Sequence, residues 1–200
     1  MIQAREFLKN ATAPEHQLLD DSPLVRQLAD GTITIDSYRH LLEEYLAFFQ
    51  SWETHAETTY PEWVRDLGSF RFCRTSWLEE DLDQLGSTKV LIGSKFYQPS
   101  KLNHAQFAGV MYVVEGSSLG GMHLSRKLGH LPGENHRFFT GYGSDTMPNW
   151  ASFVTWLNKT VTHQEDLKLA AGTAVETFRW FRNRFDQLAT KLKDSSEPHE

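Results

Sequence analysis

Cysteine is almost missing from this chain: Cys73 stands alone among 200 residues. That excludes an internal disulfide and any cysteine-rich metal site, and it fits a reducing compartment. No long basic run occurs and the formal net charge is −6, which argues against nucleic acid as a partner. No stretch approaches ~18 uninterrupted apolar residues, so no membrane span is expected. The opening residues, MIQAREFLKN, hold no apolar core of the secretory kind, and the expected setting is the cytoplasm. Repeats, low-complexity segments and a nucleotide-binding loop are absent as well. Strand signals are nearly so: residues 88–92, TKVLI, form one short and isolated candidate.

Helical periodicity is what remains. Seven prolines, at 14, 23, 61, 99, 132, 148 and 198, leave long gaps between them. Apolar residues at Tyr38, Leu41, Leu42, Tyr45, Leu46, Phe48, Phe49 and Trp52 recur with helical spacing, which predicts a helix over about 35–58. Similar reasoning predicts helices over about 69–85, 103–129, 149–161 and 164–192, the second of these capped by Asn103 and stopped near Gly129. The first 30 or so residues read as helical segments broken at Ser22-Pro23. The expectation is an all-α single domain spanning 1–192, with roughly seven to nine helices and a polar tail over 193–200.

One of these helices is weakened at a single place. Residues 110–124 read VMYVVEGSSLGGMHL, an apolar run that then carries Gly116, Gly120 and Gly121. An interior helix glycine costs ~1 kcal/mol relative to alanine. Gly116 and Gly120 are four apart and share a face, and Gly121 favours a kink. Three readings stand: a face of small residues for close helix packing, its membrane counterpart, and a surface where a ligand lies against bare backbone beside the Ser117 and Ser118 hydroxyls. Glu115 and the serines argue against the membrane version.

A second group lies near the start. His16 and Asp20 are four apart and face the same way on a helix. A metal-ligating histidine typically has its other ring nitrogen held by a carboxylate or carbonyl. One histidine cannot build a zinc site, which wants three or four ligands, but it can hold heme iron on one side. Lys9, two turns earlier, is placed to meet an anionic group of the same ligand. A solvated His–Asp pair beside a surface lysine remains the plain alternative.

Taken together, the segment Leu8-Lys9-Asn10-Ala11-Thr12 with His16, and the segment Tyr112-Val113-Val114-Glu115-Gly116-Ser117-Ser118-Leu119-Gly120-Gly121, resemble the heme (haem) oxygenase family in its bacterial, biliverdin-producing branch. The resemblance spans about residues 4–190, and the EGSSLGG block is its most specific part. It implies heme, iron protoporphyrin IX, as both cofactor and substrate, held between a proximal helix and a kinked distal helix. His16 would then be the neutral iron ligand, with Asp20 behind it. Gly116 and Gly120 would touch the macrocycle, and Gly121 would sit at the bend. The propionates would meet Lys9, Tyr112 and a basic residue late in the chain, Arg179 or Arg182. Phe178 and Phe185 would line the pocket wall.

The implied reaction opens heme to biliverdin, carbon monoxide and ferrous iron with dioxygen. Electrons would come from a ferredoxin, a flavodoxin or a reductase, and a bilin-binding photoreceptor is a candidate downstream partner. The chain departs from the family in one respect. Many members carry an aspartate just after the first distal glycine, where this chain has Ser117, and nothing in the sequence says what replaces it. A non-degrading heme or bilin carrier is therefore kept as the alternative.

Other residues carry weaker signals. His123 falls seven residues past Gly116, on the rim or the polar face. Cys73 reads as structural; as a nucleophile it would point to the thiamin-degrading hydrolases that share the helical fold. Glu43, Glu44, Glu53 and Glu57 suggest a di-iron bundle, but that chemistry wants Glu-x-x-His pairs, and the sequence has none. The six tryptophans, at 52, 63, 77, 150, 156 and 180, read as core or groove packing.

Overall fold

Pro23 occupies the first turn of a helix, where its missing N–H is no loss, and so divides α1 (Ala4–Asp20) from α2 (Pro23–Asp30). The computed structural model describes residues 3–87, 97, 101–131 and 136–194. Among these the chain continues as α3 (Ile35–Thr59), α4 (Pro61–Leu67), α5 (Arg74–Gln84), α6 (His104–Ser125), α7 (Arg137–Thr140), α8 (Thr146–Thr160) and α9 (Gln164–Asp194), with 3-10 turns at Ser69–Arg71 and Gly143–Asp145. The described residues contain no strand, and the candidate strand at 88–92 lies outside them. No helix among them is long and apolar enough to cross a membrane. The fold is all-α, as the periodicity predicts.

Several boundaries differ from the sequence reading, each for a local reason. The run over 69–85 is not one helix. Its first part is a 3-10 turn, and α5 starts only at Arg74, where the Glu53 carboxylate accepts the backbone N–H groups of Arg74 and Thr75 at 2.8 and 3.1 Å. Such a carboxylate does what an N-cap side chain does. α6 stops at Ser125, short of Gly129. α8 begins at Thr146, with Pro148 tolerated in its first turn. α9 runs on into the polar tail as far as Asp194.

α6 is the centre of the molecule. It opens with a reciprocal cap: the Asn103 side chain accepts the Gln106 N–H at 2.9 Å and the Gln106 side chain accepts the Asn103 N–H at 3.0 Å. From Ala105 to Glu115 nearly every residue is buried, because α6 packs against both α8 and α9. Gly109 makes the α9 crossing: a Cβ there would lie 2.2 Å from the Ala170 carbonyl oxygen. α9 also packs against α1, which lays down a buried stripe of Ala4, Leu8, Thr12 and Glu15, spaced by three and four residues. The short α7 hangs from α5, since Asp81 accepts the N–H groups of Arg137 and Phe138 at 2.6 and 2.9 Å.

Candidate functional site

α1 and α6 do not close on each other along their whole length. Between them, with Phe138 and Phe139 of α7 and Phe178 of α9 as walls, lies a cleft of about 730 Å³. That volume falls in the range of small-molecule and cofactor sites, and the mixture of apolar walls with a few polar groups is typical of them.

The α1 side carries His16. Its Nδ1 lies 2.8 Å from Asp20 Oδ2, and its ring meets Phe178 edge-on at 5.2 Å between centroids. A neutral imidazole that donates from Nδ1 to a carboxylate keeps its lone pair on Nε2, so Nε2 is the nitrogen left for a ligand in the cleft. Among the described residues, no group of three histidine, cysteine or acidic side chains could hold a bare metal ion. A single histidine facing a broad apolar cleft suits a metal that arrives already chelated. Arg5, Lys9 and Tyr112 line the same cleft nearer the start of α1. Burial holds the Tyr112 phenol above its ordinary range.

The α6 side divides its glycines between two tasks. A Cβ on Gly120 would meet nothing within 4 Å, and one on Gly116 would touch only the Trp150 ring at 3.8 Å. These two positions therefore present bare backbone to open space in the cleft. Gly121 also borders the cleft, but a Cβ there would lie 2.7 Å from the Phe139 carbonyl oxygen. Close packing explains Gly109 and Gly121; it does not explain Gly116 and Gly120. α6 remains an uninterrupted helix through all of them.

Behind the glycines lies a buried charge cluster that sequence reasoning missed. Glu115 is 2% exposed and receives Arg71 Nη1, Arg74 Nη2 at 2.9 Å and the Tyr142 hydroxyl at 3.1 Å. Arg74 also donates to the Ser118 hydroxyl at 3.1 Å and to the Val114 carbonyl at 3.3 Å, and it reaches the cleft. Burial, the largest single effect, works against its charge, but the surrounding acceptors, Glu115 foremost, together outweigh it and the guanidinium is held charged. Burial raises the Tyr142 phenol and the Glu53 carboxyl above their ordinary ranges. One signal was available: Glu115 stands in an apolar helix, and a buried carboxylate demands cations.

The structure brings Lys9, His16, Asp20, Tyr112, Gly116, Ser117, Gly120, Gly121 and Phe178 to one cleft, and His123 with them. The Ser117 hydroxyl is engaged with the Val114 carbonyl at 2.8 Å. Arg179 and Arg182 are not brought there: both pair with Glu15, at 2.6 and 3.3 Å. Phe185 is fully buried in the core, and Tyr45, whose ring is 5.1 Å from it, forms the wall in its place. Cys73 is outside the cleft, donates to the Phe70 carbonyl, and has its thiol pushed up to about 11 by burial, which leaves it protonated and poorly nucleophilic at neutral pH.

The same helical arrangement is found in solved proteins. The heme oxygenase from Leptospira interrogans superposes with a TM-score of 0.77 at 19% identity, over 93% of this chain and 100% of that one. The heme oxygenase from Neisseria meningitidis, solved with NO and CO bound, gives 0.78 at 20%, over 94% and 92%. Heme oxygenase-1 from the cyanobacterium Synechocystis, solved in complex with heme, gives 0.71 at 16%, over 97% and 96%. No curated protein sequence matches the chain. These likenesses define an all-α heme oxygenase fold. The heme oxygenase sequence model matches residues 3–187, so the chain belongs to the heme oxygenase family.

Proposed function

We propose that this protein binds heme in the cleft between α1 and α6 and degrades it to biliverdin, carbon monoxide and ferrous iron. The reading is carried by one opposition: an Asp20-backed histidine on one wall faces bare Gly116 and Gly120 backbone on the other. Heme supplies the iron that binds dioxygen and the meso carbon that leaves as carbon monoxide; external electrons and protons reduce the oxygen not retained in products to water.

The chain's own residues orient and enclose. His16 ligates through Nε2 while Asp20 fixes the ring's direction and tautomer. Gly116 and Gly120 let α6 approach without side chains in the way. Phe138, Phe139 and Phe178 exclude water from the cleft. Lys9, Arg5 and Tyr112 supply positive charge and a hydroxyl for the propionates. In place of the aspartate that many relatives carry, Arg74 brings a fixed donor through Ser118 to the edge of the cleft, held by Glu115 from behind. Such a fixed donor can order water beside the iron. The chain holds no nucleotide-binding loop, and a ferredoxin, flavodoxin or reductase supplies the electrons in the cytoplasm. A bilin-binding photoreceptor is the proposed acceptor of the product.

Titrating the protein with hemin and then adding an electron donor in air tests this. A Soret band saturating at one heme per chain, decaying to the broad red absorbance of biliverdin, is the expected result. A Soret band that survives turnover conditions would instead make the protein a heme carrier. Absence of any band would overturn the reading.

A further inference from the structure

Arg179 and Arg182 are the late basic residues that the family resemblance puts forward for a heme propionate, yet one carboxylate holds both. Glu15, 9% exposed, accepts Arg179 Nε on Oε1 at 2.6 Å. Arg182 Nη1 lies 3.3 Å from Oε2, a charge contact without hydrogen-bond geometry, and Oε2 accepts no hydrogen bond. None of the three lines the cleft, although Glu15 precedes His16 and Arg182 lies one turn beyond Phe178, which do.

The cleft itself is electrically one-sided along α1. Arg5 and Lys9 line one end, where Arg5 pairs with Glu6 and the exposed Lys9 belongs to none of the ion pairs found among the described residues. Asp20 lines the other end, about 16 Å away by helical rise. A heme is nearly the same on all four sides except that two adjacent pyrroles carry propionates. Its rotation within the cleft is therefore set by where those anions find cations. Two free guanidiniums beside His16 and Phe178 would offer a second seat. Glu15 cancels one of their two charges and holds a carboxylate against both.

We propose that Glu15 is a specificity-determining residue: by engaging Arg179 and Arg182 it leaves Lys9 and Arg5 as the propionate anchors, and so selects which meso carbon lies beneath Gly116 and Gly120. The inference rests on the heme reading of the cleft.

The test uses the full chain loaded with hemin. Heme-methyl proton resonances of the ferric cyanide complex count the seats without turnover, and chromatography of the biliverdin isomers reads the outcome of turnover. Glu15→Gln should add a set of resonances and a biliverdin isomer that the wild type lacks, the new isomer reaching a tenth or more of the product. Adding Arg179→Gln and Arg182→Gln to that variant should remove both, which damage to the fold would not do. A Glu15→Gln protein with wild-type resonances and isomers overturns the inference. If Glu15→Gln does not fold, the Arg179→Gln/Arg182→Gln protein decides: unchanged seating is expected, and a new seat would mean that these arginines anchor the propionates after all. A wild-type chain with no Soret band overturns the heme reading itself, and the inference with it, whereas a band with unchanged seating in Glu15→Gln overturns the inference alone.

Discussion

The Phe139 carbonyl oxygen sits where a Cβ on Gly121 would approach it to 2.7 Å, while one residue earlier a Cβ on Gly120 would meet no atom within 4 Å. Adjacent glycines in one helix therefore serve different ends, one against α7 and one toward the cleft. Replacing each with alanine should separate them. Gly121→Ala forces α7 away and should cost about 1–3 kcal/mol by overpacking. Gly120→Ala should leave stability unchanged or raise it by up to about 1 kcal/mol through helix propensity, yet weaken hemin binding. Urea unfolding and a Soret titration on the two variants check this; equal effects of both on stability would refute the division.

Arg71 and Arg74 share the Glu115 carboxylate, and all three are nearly inaccessible to water. Truncating one partner of such a buried group strands the others. Glu115→Ala should lose about 3–5 kcal/mol of unfolding free energy. Arg74→Met, which leaves Glu115 paired with Arg71 and Tyr142, should cost less stability but slow turnover with hemin binding retained. Chemical denaturation and the ratio of turnover rate to hemin affinity distinguish the two.

Asp20 is half exposed, so its pairing with His16 contributes little to folding. Its effect should appear in ligation. Asp20→Asn should weaken hemin affinity about 10–100-fold, the usual cost of losing a group that orients a metal ligand, with thermal stability unchanged. His16→Ala should abolish turnover. Full activity in His16→Ala would refute the assignment of the iron ligand.

Burial lowers the pKa values of His104 and His136 from their ordinary 6.5, against the pull of Asp66 and Asp166 on the first and Asp81 on the second. Below 6.5 the unfolded chain binds protons that these two folded sites refuse. Their contribution to stability is thus full above 6.5 and is lost as pH falls toward the folded values. Thermal melts should show the midpoint dropping between pH 7.5 and 5.5, and His104→Phe should shrink the drop, since that ring stacks on Trp63 at 4.8 Å with its Nε2 buried and unpartnered.

The all-α architecture was legible because apolar spacing is local: Tyr38 to Trp52 declares its buried face without reference to any other segment. So was the pairing of His16 with Asp20, which needs only one helical turn. What escaped the sequence depends on distant partners. Arg74 reads as an ordinary surface residue until Glu115, 41 positions away, is placed beside it. Arg179 and Arg182 look free until Glu15 is folded onto them. The break before Arg74 is made by Glu53 from another helix, and no pattern within 69–85 encodes it.

The bare stretch at Gly116 and Gly120 has one further consequence. Peptide backbone without side chains carries almost no chemical signature, so such a ceiling cannot tell one quadrant of a flat, nearly four-fold guest from the next. Discrimination must come from the perimeter, where Lys9, Asp20 and the residues around them differ from corner to corner. On the proposed heme reading, exchanging a few charges at the edge would alter the choice among near-equivalent positions and leave the Gly116 and Gly120 ceiling the same.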